Sequence, residues 1–518
     1  MKRKIIAVLA AAMLVAGAGC GSVTETAAPP PEESGQAEEN AGTRITNDDI
    51  TLKLVRADNP SQPMQENLLV TDEIYKRTGV KLEIEAIPGS DFSEKQQTMI
   101  ATNNMPDILY DTYNIPDFAA SGVFAVVSDY LDIMPNFSAL LAETPDFKKL
   151  YIEGNLYYIP VMGRYIYRFG RSPMIRADLL AETGLSEPET FDDLYALLKA
   201  IKDKYPDTYP LANRNGTANL FTCLAYSFGS GNSMYFEPDQ GKYLFGQAHE
   251  EFEPVLEFLA NLYAEGLLDP DYAVASSSQW QEKLASGRSS FFFDNPSFAA
   301  NFNKALAETD PAMKFAPIPI PASANGPARG LFYEKHDRGA TTIGASSQNV
   351  DIAMRLMDFL YSEEGCDLTN FGLEGRQYTV SDDVYTLDPG IVAEFQTQTD
   401  PLRAFYGSIG AGKLGLARYI DERAQDAFFD AETKAWYETW STWTFMGEMV
   451  IDPPLTEAEN EQAKDIRTAV NTILESEYDK FITGSRPISE FAQVRQQIID
   501  AGALTLEEIY NAALARVQ

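Results

Sequence analysis

TLKLVRADNPSQPMQENLLVTDEIYKRTGVKLEIEAIPGSDFSEKQQTMIATNNMPDILYDTY, Thr51 to Tyr113, is the stretch that decides the architecture. Its apolar spacing predicts a strand at Thr51 to Arg56, a helix at Met64 to Thr78 closed by Gly79, and a second strand at Val80 to Ile87. A second helix at Phe92 to Thr102 and a third strand at Asp107 to Tyr110 follow. Strands alternating with helices in this way argue for a mostly parallel sheet, whose ligands sit outside the carboxyl ends of the strands. Asp58, Asn59, Asp111 and Tyr113 fall at those ends and are candidate ligand contacts. The alternative is local, because Asp and Asn are also what loops and caps recruit for their own hydrogen bonds.

Working outward, the chain has 518 residues, 41 Lys plus Arg against 76 Asp plus Glu, and a formal charge of −35. At about 100 to 200 residues per domain, that length implies two large lobes or three domains. A surface so negative repels phosphate backbones, and no basic cluster overrides it, so nucleic-acid binding is excluded. Two histidines and three cysteines are too few for zinc clusters or a disulfide framework. No metal and no cofactor are expected.

The start of the chain, MKRKIIAVLAAAMLVAGAGC, places Lys2, Arg3 and Lys4 before an apolar run and small residues ending at Cys20, the layout of a secretory signal peptide. The run is far short of the roughly 20 apolar residues that span a bilayer. The segment resembles the lipobox of bacterial lipoproteins, with residues 1–19 removed and Cys20 acylated; plain export with an unmodified thiol is the alternative. Residues 20–47, rich in Pro, Ala and Glu, cannot bury enough surface to fold and are expected to form a disordered tether.

Further along, helices are predicted at Phe191 to Lys204 and Phe252 to Glu265, and an apolar strand at Ser290 to Phe293. Asp294 ends that strand just before Asn295 and Pro296, a helix cap and first-turn pair. Its carboxylate suits ligand hydroxyls or an amine, with capping the competing role. Helical patterns dominate after Val350, at Ala431 to Thr444, Glu457 to Phe481, Ile488 to Ala501 and Leu506 to Arg516.

Several stretches in order resemble one family, the extracellular solute-binding lipoproteins of bacterial ABC importers, in their large family 1 sugar-binding, LplA-like branch. They are EGNLYYIP (Glu153 to Pro160), MIRADLLAETGLSEPETFDDLYALLKAIKD (Met174 to Asp203), LASGRSSFFFD (Leu284 to Asp294), Ile343 to Tyr378, and Phe481 to Arg516. The resemblance implies a two-lobed α/β fold of the type II periplasmic-binding-protein kind, each lobe a mostly parallel sheet flanked by helices, with extra C-terminal helices. Residues 48–162 and about 330–400 would form one lobe, and about 163–329 with 401–518 the other. The implied function is capture of a small oligosaccharide between the lobes by a lipid-anchored, monomeric protein on the outer face of the cell membrane. Delivery to ABC permease subunits would follow. Some relatives carry a calcium loop after the Phe191 helix, but Ile201 to Leu211 lacks the required spacing of oxygen ligands.

For the ligand, Trp436, Trp440 and Trp443 recur at helical spacing and form one stripe, suited to a pyranose face or to a core seam. Trp280 stands amid polar residues in SSSQWQEK and reads as exposed. Glu374, Arg376 and Tyr378 in FGLEGRQY bring together a carboxylate, a guanidinium and an aromatic, the groups that read hydroxyls. Arg164, Arg168, Arg171 and Arg176 concentrate positive charge; Arg164 heads a cluster suited to uronate carboxylates or to neutralising nearby acids. A peptide or other polar solute is the alternative ligand, and an extracellular glycan-degrading enzyme the alternative class. GSIGAGKL (Gly407 to Leu414) fails as a phosphate loop because Leu414 replaces the Mg²⁺-binding hydroxyl. Neither His249 nor His336 has a GxSxG partner.

Overall fold

A computed structural model describes residues 44–518, apart from 59–62, 65–68, 164–170, 297, 333–335, 397, 399–400, 411–415, 442–445 and 449–450. The signal peptide, Cys20, most of the tether, Asn59, Arg164, Arg168 and Trp443 therefore lie outside the described residues. Residues 43–518 form one compact unit.

The opening pattern folds as its periodicity predicts. Strand β1 (Ile50–Asp58), helix α1 (Leu69–Thr78), strand β2 (Val80–Pro88), helix α2 (Gly89–Ala101) and strand β3 (Ile108–Thr112) follow one another, with β1 parallel to both β2 and β3. Two further strands complete this sheet in the order β2-β1-β3, His336–Ile343, β4 (Ile159–Met162). The His336–Ile343 strand runs antiparallel to β3 and β4. The carboxyl ends of β1, β3 and β4 therefore share one edge, and the chain leaves the first lobe from that edge at Gly163.

Chain entry into the second lobe is through β5 (Ser172–Arg176), which pairs with Phe291–Asp294 and Phe315–Pro317. Both pairings are antiparallel, which departs from the mostly parallel expectation for this lobe. Among the described residues of this lobe, parallel pairing is limited to single bridges from Leu211 to Leu268 and to Phe291 and from Thr190 to Ala322. The cause is in the connections, since β5 enters from the crossing and runs opposite to the long apolar strand ending at Asp294. Ser172 is opposite Asp294, so the entry edge of this sheet carries Asp294.

Two large apolar cores account for the lobes. One gathers Leu52, Leu54, Ile108, Ile159, Ile343 and Met354; the other gathers Ile175, Leu194, Leu198, Leu256, Leu259 and Phe291. Leu402, Phe405, Ile409, Leu416, Ile420 and Phe428 belong to the first core, which corrects the placing of 401–428 in the second lobe. Aromatic packing decides it: Phe405 lies against Phe395 and Phe428, and Tyr406 donates to Asn370 Oδ1 at 2.6 Å. The long helix Glu457–Ile482 starts with a Thr456–Glu459 capping box and packs, with Phe491–Asp500 and Ala503–Val517, on the second core.

The crossings are fixed at both ends. Met162 N donates to Arg418 O at 2.6 Å and Ile420 N to Met162 O at 2.7 Å, tying the edge of β4 to the segment around Tyr419 through a single parallel bridge. Gly163 holds φ +62° there, and a Cβ at that position would collide with the Ile420 carbonyl oxygen, so only glycine fits. Gly330–Phe332 pairs in parallel with Met446–Glu448. Arg329 anchors this second crossing to the second lobe through both oxygens of buried Glu237, at 3.1 and 2.9 Å. The lobes also touch directly, where Asn460 and Lys464 of the long helix meet Asp117 of helix α3 (Ile115–Phe118).

Among the described residues, no helix is long and apolar enough to cross a membrane. Among the same residues, no group of three or more His, Cys, Asp or Glu is placed to hold a metal ion.

Candidate functional site

Both sheet edges that flank the crossing are lined with polar groups. On the first lobe, β1 ends at Asp58, whose Oδ1 accepts from Met64 N at 3.0 Å. β3 ends in a tight reversal in which Asp111 and Asn114 take φ +55°, the left-handed region that Asp and Asn tolerate. Buried Gln96 of α2 fixes that reversal: its Oε1 accepts from Tyr113 N at 3.0 Å and its Nε2 donates to Asp111 O at 3.4 Å. The Tyr113 ring is 55% exposed, and the Asp111 carboxylate receives no hydrogen bond from the described residues.

Behind this edge lies a buried basic layer. Arg56 and Arg418 sit 5.7 and 4.0 Å from the centre of the Tyr110 ring. Arg418 also donates to Thr341 Oγ1 at 2.5 Å and to Ala417 O at 3.1 Å. Burial lowers the Arg56 guanidinium from its ordinary value, and the nearby Asp111 carboxylate is the largest opposing influence. Burial raises the Tyr110 phenol, with Arg418 and Arg56 opposing.

The second edge is built around Asp294. Residues 210–212 run beside its strand, with Ala212 N donating to Phe291 O at 3.2 Å, so Asn213 and Arg214 emerge at the same end. Arg214 grips Asp294 bidentately, Nε to Oδ2 at 2.7 Å and Nη2 to Oδ1 at 3.0 Å. Arg171 Nη1 also donates to Oδ1, Asn295 N does so at 2.6 Å, and Asn219 Nδ2 approaches Oδ2 at 3.5 Å. A carboxylate offers about four acceptor positions, so this one is full. Trp280 and Phe298 close over Arg214, their ring centres 4.9 and 4.8 Å from its Cζ.

Asp58, Asp111 and Tyr113 thus share the first edge, and Asp294 stands on the second. Trp280 is a correction: it is 1% exposed, donates from Nε1 to Ala212 O at 3.2 Å and packs on Phe292, Phe298 and Phe302. The Ser276–Gln279 capping box starts a helix, Ser277–Ala285, on which Trp280 and Leu284 face inward together. Trp440 is likewise buried in this core and Trp436 packs half-buried against it, so the stripe is a core seam over its described part.

Glu374, Arg376 and Tyr378 do not join the others. Glu374 and Tyr378 line a cavity of about 360 Å³ with Arg77, Glu363, Glu364 and Asp367. Arg77 stands in the last turn of α1, just before β2 begins, so this cavity opens at the opposite edge of the sheet from Asp58 and Asp111. Tyr378 is buried against Phe371 and Tyr385, and Glu374 and Arg376 are exposed. Arg176 pairs with Asp178 at 2.5 Å and Arg171 with Asp294, the neutralising role open to these arginines. Missed altogether were Arg56, Gln96, Arg214, Asn219 and Arg418. Arg214 alone left a trace, as an isolated cation in NRNGT ahead of a glycine turn. His249 Nε2 meets Glu507 Oε1 at 2.5 Å, a tie between the 246–249 turn and the last helix.

Two α/β lobes joined by crossings, with polar groups on both flanking edges, define a binding protein of the two-lobed class. The chain belongs to the bacterial extracellular solute-binding protein family, whose model matches residues 60–365. It is 28% identical over 404 residues to the Bacillus subtilis lipoprotein LipO, covering 74% of this chain and 75% of that one. It is 24% identical to the fructooligosaccharide ABC transporter substrate-binding protein FusA of Streptococcus pneumoniae, covering 71% and 70%. In fold it resembles the alginate-binding protein AlgQ2 in its crystal structure without calcium ion, with a TM-score of 0.75, 21% identity, and 92% and 100% coverage.

Proposed function

We propose that this protein is a lipid-anchored capture device on the outer face of the cell membrane. Cys20 carries the lipid and residues 20–47 the tether. One lobe comprises residues 48–163 and about 336–428, and the other about 171–329 and 429–518. They close on an oligosaccharide and present it to the permease subunits of an ABC importer, with no chemistry performed on the sugar. A ligand that touches both lobes favours the closed arrangement by its differential affinity for it.

The observation that carries this reading is the convergence of two polar edges on one crossing, with exposed Tyr113 available to stack on a sugar face beside the open Asp111 carboxylate. FusA, by its name, handles fructooligosaccharides, which supports a carbohydrate over a peptide. Thermal melting against neutral oligosaccharides, uronate oligosaccharides and peptides tests it. Ligand at 100 times its dissociation constant adds roughly 2.7 kcal/mol to the folded state, so a sugar class should raise the melting temperature. A response confined to peptides, or release of reducing ends from a polysaccharide, overturns the reading. Cys20→Ala tests the anchor and should release the protein from the membrane fraction.

A further inference from the structure

We propose, building on the oligosaccharide reading, that the ligand carries a carboxylate and that Arg171 reads it, while Asp294 is a positioning residue that never touches the ligand. By sequence Asp294 is one of the carboxylates suited to sugar hydroxyls, yet its acceptors are spent inside the protein. Oδ1 takes Arg171 Nη1, Arg214 Nη2 and Asn295 N, and Oδ2 takes Arg214 Nε and Asn219 Nδ2. Its side chain is 5% exposed, whereas that of Arg171 is 23% exposed.

Arg171 has five N–H donors and uses two among the described residues, one on Asp294 and one on Asn219 Oδ1 at 3.4 Å. Left over are Nε–H and one N–H on each terminal nitrogen, in the plane of a guanidinium, the group that pairs with a carboxylate through two parallel N–H donors. Asn219 is itself held by Asn213 Oδ1 at 3.1 Å, so the guanidinium is aimed before any ligand arrives. The trio Arg171, Asp294 and Arg214 carries one net positive charge on a partly desolvated edge, which an anion offsets and a hydroxyl does not. What faces the crossing from the second lobe is a donor surface.

Calorimetric titration of the full-length protein with trigalacturonate and with its carboxyl-reduced counterpart, galactotriose, tests this without any variant. The acid should bind at least tenfold more tightly at low ionic strength, and added salt should narrow the gap. Arg171→Gln should abolish the preference while leaving the weaker neutral binding in place, and Arg171→Lys should restore part of it. Equal affinities, or a preference that survives Arg171→Gln in a protein of unchanged melting temperature, overturn the inference. Binding of neutral sugars alone overturns it and leaves the oligosaccharide reading standing. Silence toward every sugar overturns both.

Discussion

The two edges that flank the crossing solve one problem in opposite ways. On the second lobe the carboxylate is consumed by its own arginines, so the edge offers N–H donors. On the first, the Asp111 carboxylate receives no hydrogen bond among the described residues, and the arginines lie behind it as a buried layer around Tyr110. On the proposed reading, one edge would take ligand acceptors and the other ligand hydroxyls. A solute bridging them would then bring hydroxyls to one edge and, on the proposal above, a carboxylate to the other. The lesson is that charge type at a strand end does not fix what the ligand meets; how far that charge is already satisfied does.

The largest test of the contrast is Arg214→Met. It removes the bidentate partner of a buried carboxylate and should cost about 3 to 5 kcal/mol, read from urea unfolding. The thiols sharpen it next. Cys223, in the second core, is pushed up to about 11 by burial, with Arg171 and Arg214 pulling the other way. Cys366, in the first lobe, is pushed up to about 12 by burial and by Asp367, Asp421 and Glu363. At pH 8 each should react with a disulfide reagent at least about a hundredfold more slowly than an open thiol. In the Arg214→Met protein, Cys223 should become reactive at lower urea than in the wild type while Cys366 keeps its midpoint. Asp111→Asn preserves the left-handed backbone and removes only the charge, so it should weaken ligand binding about tenfold with a melting temperature close to wild type. Equal losses of stability from Asp111→Asn and Arg214→Met would erase the distinction. Smallest is Asp117→Ala, which cuts the contact with Asn460 and Lys464 and should shift the open–closed balance by about 0.5 to 1 kcal/mol, visible as a larger radius of gyration of the ligand-free protein.

Much of the fold was legible because long periodic segments report their own secondary structure. Phe191 to Lys204 was read to the residue, and the strand-helix alternation from Thr51 gave the first sheet. Lobe membership at 401–428 was not legible, since apolar helices carry no mark of which core they join. The second sheet's antiparallel pairing depends on where the chain enters, which local pattern does not encode. At the site, strand ends pointed to Asp58, Asp111 and Asp294, but the saturation of Asp294 arises from Arg171 and Arg214, 123 and 80 residues away in sequence. Trp280 misled because its neighbours along the chain are polar, while the rings it packs on, Phe292, Phe298 and Phe302, come from outside its helix.

Gly163 has a consequence for mutational tolerance. In a saturation library every side chain at 163 would strike the Ile420 carbonyl, whereas Gly122, with φ +73° and nothing within 4 Å of a built Cβ, has room for asparagine. Depletion at 163 with tolerance at 122 would mark the backbone bridge at the crossing as a fixed pivot. Inherited variation in affinity would then accumulate in the edges that swing about it, and not in the pivot itself.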